Sequence, residues 1–176
     1  DLSEGQDIAI ALSQSRPDEI YNLASESRPS RSWRNPARTL AINGESAVRL
    51  FEAARSIVPE ARIFQASSSE MFGSPLESVQ SSSTPFRPSN PYAASKVYAH
   101  LMAGILRTAY GMHISCGILF NHESERRPVH FLTQKIAHGA ACAALGIADS
   151  KRLNEKGRPM VEGGQLRLGD LSIRRD

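Results

Sequence analysis

Glycine-rich turns are missing from these 176 residues. No G-x-x-G-x-x-G or similar turn occurs, so nothing here forms the usual cradle in which backbone amides hold a dinucleotide pyrophosphate. Cysteine is scarce: Cys116 and Cys142 lack the short spacing of a metal or redox pair and read as small apolar side chains in a reducing compartment. The five histidines form no i, i+4 pair and no Cys/His cluster, so no metal site is expected. Aromatic residues make up 6%, with Trp33 the single tryptophan, and the arginines are scattered. A net charge of +3 then permits anionic ligands without pointing to nucleic acid. No apolar run reaches membrane length and no basic-then-apolar leader opens the chain, so a cytoplasmic protein without a membrane partner is expected.

What is present is the composition of a soluble globular chain, 40% hydrophobic and 22% charged, with the length of about one domain. Helical patterning runs from Ser3 to Ser15, with Ile8, Ala11 and Leu12 on one side, and from Pro36 to Ile57, where Asn35-Pro36 supplies an N-cap and N1. The apolar set of that second helix is Leu40, Val48, Leu50, Phe51 and Ala54, with Gly44 as a weak point. Helices are also predicted from Tyr92 to Tyr110, closed by Gly111, and from Phe131 to Leu145. Val97, Leu101, Met102 and Ile105 are the expected inward residues of the Tyr92 helix. Short β-compatible runs lie at Glu19 to Ala24, Arg62 to Ala66 and Ile114 to Phe120, with a last one at Gln165 to Leu168. Ser25 to Arg34 reads as a loop. The Ser- and Pro-rich stretch from 69 to 90 is too long for an ordinary connection, which marks it as functional. Alternating strands and helices imply an α/β fold, a partial Rossmann-like, doubly wound parallel sheet.

The chemistry gathers at two stretches, Ser67-Ser68-Ser69-Glu70 and Tyr92-Ala93-Ala94-Ser95-Lys96. Residues four apart on a helix stack one turn apart, so Lys96 stands beside Tyr92. A phenol ionises near pH 10, and a neighbouring ammonium is expected to lower that value. Reaching neutrality takes roughly 4 kcal/mol, more than one lysine usually supplies, so a cationic cofactor ring is the natural second contributor. The serines end an expected strand, where open parallel sheets bind their ligands. A hydroxyl, a phenol, an ammonium and a carboxylate would then meet a sugar-sized substrate.

These residues resemble the extended short-chain dehydrogenase/reductase family and, within it, the GDP-mannose 4,6-dehydratases. The resemblance is carried by Asn22-Leu23-Ala24, the run from Gln65 to Gly73, Thr84-Pro85-Phe86, Pro91 to Lys96, Gly117 to Ser124, Leu168-Gly169 and Arg174-Arg175-Asp176. Tyr-x-x-x-Lys marks the superfamily; Ser-x-Glu and Phe-Asn-His-Glu-Ser are more specific. The resemblance implies NADP as cofactor, GDP-mannose as substrate and a homo-oligomer in the intact enzyme. It implies Ser68, Glu70, Tyr92 and Lys96 as catalytic residues. For the cofactor it implies Asp1, Leu2, Leu23, Ala24, Ser27, Tyr92, Lys96, His122 and Arg127, and for the substrate Asn121, Lys135 and Arg175. It also divides the chain into residues 1–121, part of an NADP-binding domain, and 122–176, the start of a substrate-binding region. A chain opening at Asp1 without the glycine turn is expected to be a fragment, with an unpaired apolar edge on its first strand. Glu26, Arg28-Pro29, Glu125, Pro128 and Gln134 depart from the family pattern, and a carboxylate at Glu26 should weaken cofactor binding by charge repulsion. A related epimerase or dehydratase of nucleotide sugars, and a non-catalytic remnant, remain open beside the dehydratase reading.

Overall fold

The structure, a computed structural model, describes residues 5–76, 79–129, 131–154 and 157–168. Two compact units divide the chain, Asp1–Phe120 and Asn121–Asp176.

In the first unit α1 (Gly5–Ser15) leads to β1 (Glu19–Asn22), a helical turn α2 (Pro29–Ser32), and α3 (Pro36–Leu40). A π-helical turn, Ala41–Glu45, joins α3 to α4 (Ser46–Ile57). Then come β2 (Arg62–Ser68), a 3-10 turn (Ser69–Phe72), α5 (Pro91–Tyr110) and β3 (Ile114–Leu119). The three strands are parallel in the order β1-β2-β3, with Ile20 opposite Ile63 and Ile63 opposite Ile114. This is the expected parallel α/β arrangement, and it places the carboxyl end of the central strand β2 between its neighbours. The core beneath joins Ile8 and Leu12 of α1, Leu50, Phe51 and Ala54 of α4, Ile63, Ala99, Ala103 and Leu106 of α5, and Ile114.

Several expectations need correction. Ser25 to Arg34 is not all loop: Pro29 fits the first position of a helical turn, its φ already set. The helix from Pro36 to Ile57 contains the π-turn, and Gly44 lies within it because the space is already filled. A Cβ there would lie 2.9 Å from both Leu40 Cδ1 and Tyr98 Cδ1. The largest correction concerns α5. Leu101 and Ile105 are 52% and 56% exposed, whereas Ala93, Ser95, Lys96, Ala99, Ala103 and Leu106 are buried. Small side chains let α5 seat closely on α4 and the sheet, and the turn of the helix then carries the bulky residues outward. Ala11 and Leu40 are exposed as well.

Gly111 ends α5 as expected, with a left-handed φ of 67°, and the structure adds the other end: Asn90 caps the helix start, its Oδ1 accepting from Ala93 N at 2.8 Å. The long connection after β2 folds back on the 3-10 turn. Arg87 N donates to Met71 O at 3.0 Å, and the Phe86 ring lies 5.5 Å from Phe72. Gly73 makes this return possible, with φ 59° and a Cβ position only 1.9 Å from Arg87 O.

The second unit holds α6 (Leu132–Ala144) and a small antiparallel hairpin, β4 (Val161–Glu162) with β5 (Gln165–Leu166). The expected strand at Gln165 to Leu168 is thus the return arm of a hairpin. Cys116 and Cys142 are both free thiols.

Candidate active site

Side chains alternate along β2, so its last two serines part company. Ser67 Oγ lies 2.9 Å from His100 Nδ1 of α5. Ser68 is buried and caps the 3-10 turn, its Oγ accepting from Glu70 N at 3.2 Å. That bond leaves the Ser68 proton available, and the hydroxyl acts on the Tyr92 phenol, drawing its pKa down. Glu70 follows in the turn, and its Oε2 accepts from Asn90 Nδ2 at 3.1 Å. Its charge acts on the Tyr92 phenol. Three of the four expected catalytic residues, Ser68, Glu70 and Tyr92, therefore converge at the carboxyl end of β2.

Lys96, the fourth, is 3% exposed and one turn along from Tyr92. Its Nζ donates to Ala66 O at 3.0 Å and lies 5.9 Å from the centre of the Tyr92 ring. Burial pulls its pKa down to about 8. Burial also dominates at Tyr92 and pushes the phenol above its ordinary value; Ser68 pulls it down, the Glu70 charge raises it, and the nearby Ser25 hydroxyl lowers it. This reverses the expectation that Lys96 lowers the Tyr92 pKa. The ammonium is engaged with a main-chain carbonyl and is itself desolvated, so it does not outweigh the burial of the phenol.

Ser25 escaped the reading of the sequence, as did the residue that places it. Ser25 Oγ lies 3.1 Å from Asn43 Oδ1, which also accepts from Glu26 N at 2.8 Å; Asn43 Nδ2 donates to Glu26 O at 3.3 Å. Asn43 is 2% exposed within the π-turn, whose wider winding presents its amide to the loop after β1. The one available signal was Asn43-Gly44, two poor helix formers inside a helical run.

The remaining expected residues are more dispersed. Leu23, Ala24 and Ser27 are exposed on the loop leaving the carboxyl end of β1, the same sheet edge as Ser68. In the second unit Asn121 and His122 are exposed. Arg127 Nε lies 3.2 Å from Glu123 Oε2, with the guanidinium 3.8 Å from the centre of the Phe131 ring. Lys135 is half-buried on α6. Asp1, Leu2 and Arg175 lie outside the described residues. Among the described residues no group of three His, Cys, Asp or Glu side chains is placed to hold a metal ion, and no helix is long and apolar enough to cross a membrane.

Comparison with known proteins gives the family. The family model described as GDP-mannose 4,6 dehydratase matches residues 1–157. The GDP-mannose 4,6-dehydratase of Sinorhizobium fredii is 41% identical over 148 residues, 83% of this chain and 42% of that protein. The human GDP-mannose 4,6 dehydratase is 35% identical over 178 residues, 96% of this chain and 48% of that protein. Among solved structures, RMD from Pseudomonas aeruginosa complexed with NADPH superposes with a TM-score of 0.73 at 26% identity, over 84% of this chain and 50% of that one. The chain spans less than half the length of these two curated relatives. With its parallel sheet, its Ser-x-Glu and Tyr-x-x-x-Lys side chains at one sheet edge, and this match over most of its length, the chain belongs to the GDP-mannose 4,6-dehydratase family.

Proposed function

We propose that the protein containing this chain converts GDP-mannose to GDP-4-keto-6-deoxymannose, with NADP as a cofactor that is reduced and reoxidised within each turnover. The observation that carries the reading is the meeting of Ser68, Glu70 and Tyr92 at the end of β2, above the buried Lys96. NADP as the cofactor is supported by the NADPH in the related RMD structure.

The donor set fits the nicotinamide and ribose end of such a cofactor. Lys96 is a buried ammonium and Tyr92 a buried phenol at the ligand-binding edge of the sheet, while the chain offers no glycine turn for the pyrophosphate. Tyr92 and Lys96 would hold the ribose, with Leu23, Ala24 and Ser27 along the nucleotide; His122 and Arg127, with Asp1 and Leu2, are assigned to the cofactor as well. Asn121, Lys135 and Arg175 are assigned to the GDP moiety. The chemistry supplied by a bound oxidised nicotinamide is acceptance of the C4 hydride, its return to C6, and a positive charge that favours the phenolate.

Tyr92 takes the proton of the C4 hydroxyl, and Ser68 holds that oxygen as it becomes a ketone. The ketone acidifies the C5 proton, which brings it within reach of a carboxylate base. Glu70 removes that proton, the C5–H electrons form a C5–C6 double bond, and the C6 hydroxyl leaves as water with the proton from Glu70. The proton that Tyr92 took from the C4 hydroxyl then passes to C5, directly or through water, which completes the sum: one water lost and no net redox change.

The activity belongs to the longer protein, and the 176 residues alone are expected to show little turnover. Self-association of the intact protein is supported by the exposed apolar strip of Tyr98, Leu101 and Ile105 on α5. A cytoplasmic site of action accords with the two free thiols. The test is incubation of the longer natural protein with GDP-mannose and NADP beside a Glu70→Gln control. The 4-keto-6-deoxy product is expected from the first and not from the second. Product from a different nucleotide sugar alone would assign the chain to a related epimerase or dehydratase, and no product from folded protein would leave a non-catalytic remnant.

A further inference from the structure

Asn90 uses both ends of its side-chain amide. Its Oδ1 accepts from Ala93 N at 2.8 Å and closes the first turn of α5. This bond fixes the amide plane, and the opposite end, Nδ2, donates to Glu70 Oε2 at 3.1 Å. The helix needs only the acceptor: serine or aspartate would cap it equally well. Serine, however, is too short to bring a second donor to the carboxylate, and aspartate would set a second negative charge against it. The amide is the one common cap that satisfies the helix and gives a neutral donor to an acid.

Glu70 is thereby held twice. Its backbone N–H is bound by Ser68 Oγ at 3.2 Å, and its carboxylate by Asn90. Asn90 lies two residues before Tyr92, so the carboxylate and the phenol are tied to the same helix start. A neutral donor also suits a base that must gain and lose a proton. A full positive charge in its place would favour the ionised form so strongly that proton transfer to it would be impeded.

We propose that Asn90 is a positioning residue for the elimination step: through Nδ2 it orients the Glu70 carboxylate toward the C5 proton, and through its cap it keeps that carboxylate in register with the Tyr92 hydroxyl. The proposal rests on the dehydratase reading above. Asn90 gains and loses no proton; the C5 proton passes to Glu70 and departs with the C6 oxygen as water.

The test uses the longer natural protein with GDP-mannose and NADP and follows two steps separately. C4 oxidation is read from reduced-nicotinamide absorbance, and C5 deprotonation from deuterium taken up at C5 in heavy water. Asn90→Ser keeps the cap and is expected to retain its melting temperature and its nicotinamide reduction, while C5 exchange slows about 10- to 100-fold. Asn90→Asp, which also keeps the cap, is expected to be slower still at C5. A second readout needs no turnover: the Asn90 side-chain amide resonance should shift in Glu70→Gln, which alters its hydrogen-bond partner. C5 exchange at the wild-type rate in Asn90→Ser, beside an inactive Glu70→Gln, overturns the role of Asn90 alone. Equal slowing of both steps with a lowered melting temperature overturns it too, in favour of a purely structural cap. Normal product from Glu70→Gln instead removes the dehydratase reading of Glu70 and the proposal with it.

Discussion

The ammonium of Lys96 lies 5.9 Å from the centre of the Tyr92 ring and gives its hydrogen bond to the Ala66 carbonyl. The charge is held under the phenol by main chain, at a cost in solvation that lowers its pKa from 10.5 to about 8. The folded state binds fewer protons than the unfolded state between those two values, so Lys96 makes stability rise with pH across that window. Below it, the buried charge opposes folding by about 3 kcal/mol, partly offset by its hydrogen bond. Lys96→Met is therefore expected to raise stability at about pH 7 by about 2 kcal/mol, a gain that fades by about pH 10. Urea melts at the two pH values read this directly, and hydride transfer should be lost in the same variant.

The phenol of Tyr92 is raised by burial and drawn back by the hydroxyls of Ser68 and Ser25. Ser25→Ala and Ser68→Ala should each move its ionisation further upward. Tyrosinate absorbance titrated against a Tyr92→Phe reference isolates this group from the other three tyrosines. An unchanged titration in both variants would rule out the hydroxyls as its partners.

At Gly73 a methyl group would meet the Arg87 carbonyl at 1.9 Å, and φ is 59°. Gly73→Ala is expected to cost about 3 kcal/mol from clash and backbone strain together. The damage should concentrate on the turn carrying Glu70, seen as faster amide exchange from Met71 to Gly73 than in the core strands.

On the outer side of α5, Leu101→Glu replaces a half-exposed side chain and should change the stability of the chain by no more than about 0.5 kcal/mol. In the longer protein the same change is expected to lower the oligomeric mass measured by light scattering. An unaltered mass would show that this strip is not an association surface.

Spacing brought the chemistry-bearing residues of the candidate site together; their roles came from the resemblance. Helical periodicity set Tyr92 beside Lys96, and the end of an expected strand gathered Ser67, Ser68 and Glu70; the choice of Ser68 and Glu70 came from the family resemblance, and the turn that holds them only from the structure. The contacts of Ser25 with Asn43 and of Asn90 with Glu70 join residues 18 and 20 positions apart, through a π-turn and a doubled-back loop that no local pattern encodes. Hydropathy misled at α5 for a related reason. It sends Leu101 and Ile105 inward, but close packing of one helix on another selects Ala99 and Ala103. The fall of the Lys96 pKa and the rise of the Tyr92 pKa depend on burial depth, which four-residue spacing does not carry.

The seam of small residues on α5 has a mechanical consequence. Twenty residues of helix make a strut about 30 Å long, and Asn90 and Tyr92 stand at its head. Seated through alanines rather than long, adaptable side chains, the strut has little freedom to roll or slide without collision. An added methylene at Ala99 or Ala103 would then be felt two to three turns away, as a misaimed phenol and a carboxylate drawn off its line. Enlarging these apparently featureless alanines should slow the chemistry before it unfolds the protein.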